Sequence, residues 1–301
     1  MKVGIAQGTE TGNSPTGDML RRSNDGETVR GGAVEAREIW NALERDEIEV
    51  HLQSEVWLED GRHFGFEALP RLRHPEGLIG PERFLPYAEH TAVSLPLARR
   101  LVERACQELE DRDGMRPEAV VSIAPSGLGE PAIFETVTGA IAAAGSDPSR
   151  VCIEVPSHLP FEELEGAREA WSELRRLGIR FALDRCGAGA GNGDDVHALP
   201  LGPMALFPFD YVRVDRSLIR ATSRSAKARR LVATIARTAW QLEAIPVADG
   251  IETNTEALAA YGLGCRVAQG PRFGDPLPPR ARSNGRHLTA VPSPLAGPAY
   301  S

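Results

Sequence analysis

The chain has 301 residues, 42% of them hydrophobic, and a net charge of −8. That is enough apolar material for a large core, and an acidic balance that argues against non-specific nucleic-acid binding, which needs clustered Lys and Arg to neutralise phosphates. No apolar stretch approaches the ~20 residues of a membrane span. The four cysteines, Cys106, Cys152, Cys186 and Cys265, are far apart and form no C-x-x-C pair; they read as reduced thiols of a cytoplasmic protein, not as a disulfide frame or zinc site. The histidines show no H-E-x-x-H grouping, which argues against a histidine-based metal site.

In chain order, residues 1–32 are polar and rich in Gly, Ser and Thr and read as a flexible segment with one short strand at Val3–Ala6. From 33 to 279, short apolar runs alternate with amphipathic stretches, the pattern of strand–helix units around a parallel sheet. The expected strands are Glu49–Leu52, Phe64–Leu69, Ala119–Ile123, Val151–Val155, Arg180–Leu183, Tyr211–Val214, Ile245–Ala248 and Cys265–Ala268. The expected helices include Ala33–Arg45, Pro81–Asp111 with a break near Pro96, Phe161–Leu177, Ser225–Leu242 and Asn254–Tyr261. Residues 280–301, with Pro, Gly and Ser and no apolar period, read as a disordered tail. Eight strands with intervening helices fit an α/β fold of the (β/α)8 TIM-like barrel type better than an open sheet.

The strand ends carry Gln53, Glu67, Ser122 with Ala124, Glu154, Asp184, Arg213, Asp249 and Gln269. In a barrel these ends converge on one mouth, where active sites lie. A charged residue at one strand end is ordinary; polar residues at nearly all of them point to a site.

The segment "FEALPRLRHPEGLIGPERFLPYAEH" resembles the signature of EAL-domain cyclic-di-GMP phosphodiesterases, and "VSIAPS", "VCIEVPS", "FALDRCGAG", "YVRVDRSLI", "VADGIET" and "AQGPRFGDPLP" follow in the family's order. The resemblance covers about Glu35 to Pro278. It implies a barrel with one strand reversed, and hydrolysis of one phosphodiester of cyclic di-GMP to linear pGpG with two Mg²⁺ or Mn²⁺ ions. Two such cations activate water and neutralise charge developing on phosphate, and they take oxygen ligands. The opening "KVGIAQG" resembles the last strand of a diguanylate cyclase GGDEF domain, of which residues 1–32 would be a remnant.

Carried over by residue, the resemblance places Glu67, Glu154 and Asp184 as metal ligands and Glu67, Glu154, Asp184, Arg213, Asp249 and Gln269 at catalytic positions. The set is incomplete. Ala124 stands where the family has Asn, Arg185 replaces the second Asp of a pair, Arg213 replaces Lys, and Asp249 is one methylene shorter than the family Glu. Pro156-Ser157 replace a Thr-Glu, and Ser54-Glu55 replace a Pro-Ile. Ala124 has no ligand atom, and Arg185 brings an undeprotonatable cation to where the second metal would sit. The Gly-rich loop after it is longer than in the family; its Asp194 and Asp195 either bring carboxylates back to the site or belong to a mobile solvated loop. Ligand recognition is expected at Gln53, Leu69, Arg71, Arg185 and Asp215, Arg being suited to phosphate oxygens; Asp215 also fits a helix N-cap, and Arg185 a simple neutralising role beside Asp184 and Glu154.

The sequence therefore reads as a degenerate EAL domain in cyclic-di-GMP signalling, a nucleotide receptor or protein-interaction module with little or no hydrolysis and no resident cofactor. The alternative is a weakly active phosphodiesterase that recruits Mg²⁺ or Mn²⁺ through an altered site. Cyclic di-GMP, a protein partner and a second copy of the chain are the expected partners.

Overall fold

In a computed structural model, described over residues 34–89, 91–110, 120–123, 127–159, 161–189 and 201–279, the apolar runs become strands of one sheet that closes on itself. The elements are α1 (Ala36–Glu44), β1 (Ile48–Trp57), β2 (His63–His74), β3 (Gly77–Ile79), α2 (Leu85–Ala88), α3 (Ser94–Glu110), β4 (Val120–Ile123), α4 (Ile133–Ala144), β5 (Val151–Pro156), α5 (Phe161–Arg176), β6 (Arg180–Cys186), α6 (Leu201–Leu206), β7 (Tyr211–Val214), α7 (Arg216–Ala221), α8 (Ala226–Gln241), β8 (Ile245–Ala248), α9 (Asn254–Gly262) and β9 (Val267–Gln269). The expected strand at Val3–Ala6, the flexible segment 1–32, the tail 280–301, and Ala124, Asp194 and Asp195 lie outside the described residues.

The strand order is β1-β9-β8-β7-β6-β5-β4-β2, and a β1–β2 pairing completes an eight-stranded ring from which β3 hangs as a hairpin on β2. β2 and β4 to β9 run parallel. β1 is antiparallel to both of its neighbours, so the α/β TIM-like barrel with one reversed strand is observed.

Three expectations need correction. β1 does not stop at Leu52 but runs on to Trp57, and β2 runs on to His74. The helix expected to break near Pro96 breaks earlier, between α2 and α3; Pro96 lies in the first turn of α3, where its missing N–H removes no intrahelical bond. The helices α4, α6 and α7 were not anticipated.

Side chains alternate across a strand, and this sorts the barrel into two apolar regions. Outward-facing residues such as Ile153, Val155, Phe181, Leu183, Val212 and Val214 join the helix faces, with Trp171 and Phe207, in the main core. Inward, a separate cluster of Cys152, Ala182, Tyr211, Val247 and Val267, with Trp57, Phe64 and Ile245 against it, plugs the floor of the lumen. The rings of Trp57 and Phe64 meet edge-on at 5.0 Å, and those of Phe64 and Tyr211 at 5.4 Å. Each plug residue stands two positions from a polar one on the same strand face: Cys152 below Glu154, Ala182 below Asp184, Tyr211 below Arg213, Val247 below Asp249, Val267 below Gln269. On reversed β1 the order inverts, and Trp57 follows Glu55. The apolar layer closes the barrel and leaves the next layer to form the floor of an open mouth.

One glycine is required there. Gly270, directly after Gln269, has φ +146°, and a Cβ on it would lie 2.3 Å from the Ile251 backbone. Its bare Cα lets the ends of β8 and β9, with Asp249 and Gln269, come together.

Candidate functional site at the barrel mouth

Arg213 lies at the centre of the inward polar layer, carried up by β7 and buried. Its guanidinium donates to Glu55 Oε1 and to Gln269 Oε1. Its Nη1 is 3.2 Å from Glu154 Oε1, a charge contact without hydrogen-bond geometry. Glu67 lies at 3.5 Å, Asp184 at 3.7 Å and Asp249 at 4.0 Å. One cation thus faces five carboxylates. Glu55 and Glu154 are buried with it, whereas the side chains of Glu67 and Asp184 are each 20% exposed and that of Asp249 33%. The cluster is closed below and open above.

The electrostatics follow from burial. Desolvation raises the carboxyl pKa of Glu55 and Glu67, and raises that of Glu154 well above the ordinary range, against the pull of Arg213. Burial likewise carries Asp184 and Asp249 up to about 6. For Arg213, burial acts to lower the pKa, but Glu154, Glu55, Glu67 and Asp249 together hold it well above the usual arginine value. The guanidinium stays charged while the surrounding carboxyls compete for protons.

Arg213 also sets a direction in the network around it. Arginine can only donate, so Gln269 must turn its Oε1 toward Arg213. Gln269 Nε2 then donates to Glu67 and, at 2.9 Å, to Gln53 Oε1. Gln53 is left to donate its Nε2 to the Gly274 carbonyl at 3.1 Å, which ties the loop after β9 to the floor of the mouth. The pairings Gln53 with Glu67 and Glu55 with Gln269 across β1 place these groups side by side.

The structure thus brings together Gln53, Glu67, Glu154, Asp184, Arg213, Asp249 and Gln269. Leu69 and Arg71 continue the inward face of β2 beyond Glu67, opposite His51 and Glu49 of β1; both are half-buried, and Arg71 donates to its neighbour's Pro70 carbonyl at 3.1 Å. Arg185 is placed differently. It sits in a bulge where β6 slips against β7, with φ +58°, and its side chain is exposed. Ser157 pins this bulge, its N–H donating to the Asp184 carbonyl at 2.9 Å and its hydroxyl to that of Arg185 at 3.1 Å. Arg185 still acts on Asp184 through its charge, but the cation among the carboxylates is Arg213. Asp215 caps α7, accepting from Ser217 N at 2.8 Å.

Glu55 is the residue sequence reasoning missed. A signal existed: Glu49, His51, Gln53 and Glu55 alternate with Ile48, Val50 and Leu52, the period-2 pattern of a strand with one polar face. That face is the barrel lumen.

A match to the EAL domain model covers residues 36–276. The chain belongs to the EAL-domain family. Among relatives of this EAL domain, an uncharacterised signalling protein of Caulobacter vibrioides is 30% identical over 86% of this chain and 31% of its own length. The cyclic di-GMP phosphodiesterase NbdA of Pseudomonas aeruginosa is 29% identical over 80% of this chain and 30% of its own. Among solved structures, PaMucR phosphodiesterase in complex with c-di-GMP superposes with a TM-score of 0.70 at 25% identity, covering 80% of this chain and 96% of that one. The chain therefore spans about a third of the length of these curated relatives.

The family resemblance implies two divalent ions at these carboxylates. The Arg213 guanidinium already stands within 3.7 Å of Glu67, Glu154 and Asp184. Among the described residues, no group of three His, Cys, Asp or Glu side chains is arranged to hold a metal ion. Nor is any helix there long and apolar enough to cross a membrane.

Proposed function

We propose that this EAL domain serves cyclic-di-GMP signalling in the cytoplasm as a degenerate member of its family, a receptor that binds the nucleotide at the barrel mouth and hydrolyses it little or not at all. The observation that carries this reading is Arg213, lodged within 4.0 Å of Glu67, Glu154, Asp184 and Asp249. A guanidinium there supplies fixed positive charge but cannot lower the pKa of a bound water as a divalent ion does. The ligand has two phosphate charges and must approach Asp184 and Asp249 on the open side. Arg213 is occupied by carboxylates, so Arg71 and Arg185 are left to meet the phosphates.

The test is a calorimetric titration of cyclic di-GMP, run in EDTA and again in Mn²⁺, with chromatography for pGpG. The expected result is equal affinity in both buffers, no pGpG, and binding weakened by about 1.5–3 kcal/mol in Arg71→Ala, the range for a hydrogen bond to a charged group. Turnover of ~1–10³ s⁻¹, or binding in Mn²⁺ alone, would restore the phosphodiesterase reading. Absence of binding at low salt would leave the domain as a protein-interaction module.

A further inference from the structure

We propose that the solvent face of α8 is a docking surface for an acidic helical segment of a protein partner. Between Arg216 and Leu242 the chain has seven cationic residues and not one Asp or Glu, within a protein of net charge −8. Elsewhere on the surface several arginines stand beside carboxylates: Arg45 is 3.2 Å from Glu47, Arg99 is 2.8 Å from Glu103, and Arg175 is 2.7 Å from Asp210. In this stretch, Arg220 pairs with Glu252 and Arg229 donates to the Thr222 carbonyl at 2.7 Å. Arg224, Lys227, Arg230 and Arg237 are exposed, and among the described residues they make no ion pair.

Their arrangement is linear. Ala228, Val232, Ile235, Ala236 and Ala239 bury one face of α8 against the barrel. Lys227, Arg230 and Arg237, spaced by three and seven residues, share the opposite face and span about 15 Å at 1.5 Å per residue. Three unpaired cations on a rigid rod repel one another, and a facing row of carboxylates at matching spacing relieves that repulsion.

The charge of the rest of the molecule selects the kind of partner. With these cations set aside, the remainder is more acidic than the whole, so an extended polyanion such as duplex DNA or an anionic membrane would be repelled by most of the surface it faces. A single acidic helix reads only the field within a Debye length, about 8 Å at physiological salt, and the helix it would face carries cations and no Asp or Glu. This surface lies outside the barrel, and its role does not depend on what binds at the mouth.

The full chain would be titrated by fluorescence anisotropy against a labelled helical peptide carrying Glu at positions i, i+3 and i+10 on one face. A scrambled peptide of the same composition, a 20-base-pair DNA duplex and phosphatidylglycerol vesicles would serve as competing probes. The patterned peptide should bind most tightly, at least tenfold more weakly at 300 mM than at 50 mM salt, and at least tenfold more weakly to Lys227→Glu/Arg230→Glu/Arg237→Glu. If that variant does not melt cooperatively like the wild type, the neutral set Lys227→Gln/Arg230→Gln/Arg237→Gln replaces it with the same expectation. Equal binding by wild type and variant, equal binding of the scrambled peptide, no peptide binding at low salt, or preference for DNA or vesicles would each overturn the proposal.

Discussion

Inside the barrel mouth one guanidinium serves five carboxylates; along α8 exposed cations pair with no carboxylate among the described residues. Both regions are electrically unbalanced, with opposite sign, and the difference between them is solvent. Arg213, Glu55 and Glu154 are stripped of water, so their charges are held by specific partners, and removing one leaves the rest with nowhere to turn. On α8 water and salt screen every cation, and the imbalance costs the fold almost nothing. A buried imbalance is written into stability and protonation; an exposed one can be read only by a partner.

The sharpest test of this contrast is Arg213→Met. Loss of the cluster's buried cation should destabilise the fold by about 3–5 kcal/mol at pH 7, measured by urea unfolding, and the deficit should shrink at pH 5 as the carboxyls take up protons. An unchanged denaturation midpoint at pH 7 would mean the cluster is not the tight unit described. Next comes Glu55→Ile, which removes the acceptor of an Arg213 hydrogen bond and should cost about 1.5–3 kcal/mol. Combined with Arg213→Met, it should cost less than the sum of the two, because both act on one interaction; strict additivity would separate Glu55 from the network.

A smaller effect is expected from pH alone. Asp184 and Asp249 titrate at about 6 in the fold, against an ordinary 3.8. The folded state therefore binds more protons than the unfolded chain between these values. Their contribution is fully present below about 4 and is lost as pH rises through about 6, so the site adds stability on going from pH 7 to pH 5. For these two neighbouring and partly exposed groups the gain is on the order of 1–2 kcal/mol, and Asp184→Asn/Asp249→Asn should remove that part of it, leaving whatever Glu55, Glu67 and Glu154, also raised, contribute. The smallest effect belongs to the other region: Lys227→Ala/Arg230→Ala should leave stability within about 0.5 kcal/mol of wild type. A loss above 1 kcal/mol would show that the strip is part of the fold's own support.

The same contrast explains what could be read from the sequence. The barrel was legible because its parallel strands are short apolar runs that face helices on one side and the plug on the other, and because Glu154, Asp184, Arg213, Asp249 and Gln269 mark their ends. The continuation of β1 was not, because Ser54 and Glu55 break the apolar run, and charge within a strand ordinarily means solvent. Only closure of the ring shows that this side of β1 faces other polar groups. The positions of the two arginines were illegible for a related reason. The sequence makes Arg185 the intruder in the acidic pair; the backbone turns it outward at a bulge and leaves Arg213, which reads as a mild Lys replacement, to occupy the centre. Pro96 misled because a proline marks a helix break as readily as a helix beginning.

The reversal of β1 has one more consequence, in the order of assembly. β1 is held between β2, which follows it at once, and β9, more than two hundred residues later, and Glu55 meets Gln269 only when that last strand arrives. A chain growing from the ribosome can form strand–helix units in succession, but it cannot close the ring or gather the Arg213 cluster until synthesis has passed Gln269. Closing so long a loop late is slow, and until then β1 exposes an unpaired edge of the kind that recruits other chains. Truncations that remove β9 should therefore yield aggregating protein rather than a smaller folded domain.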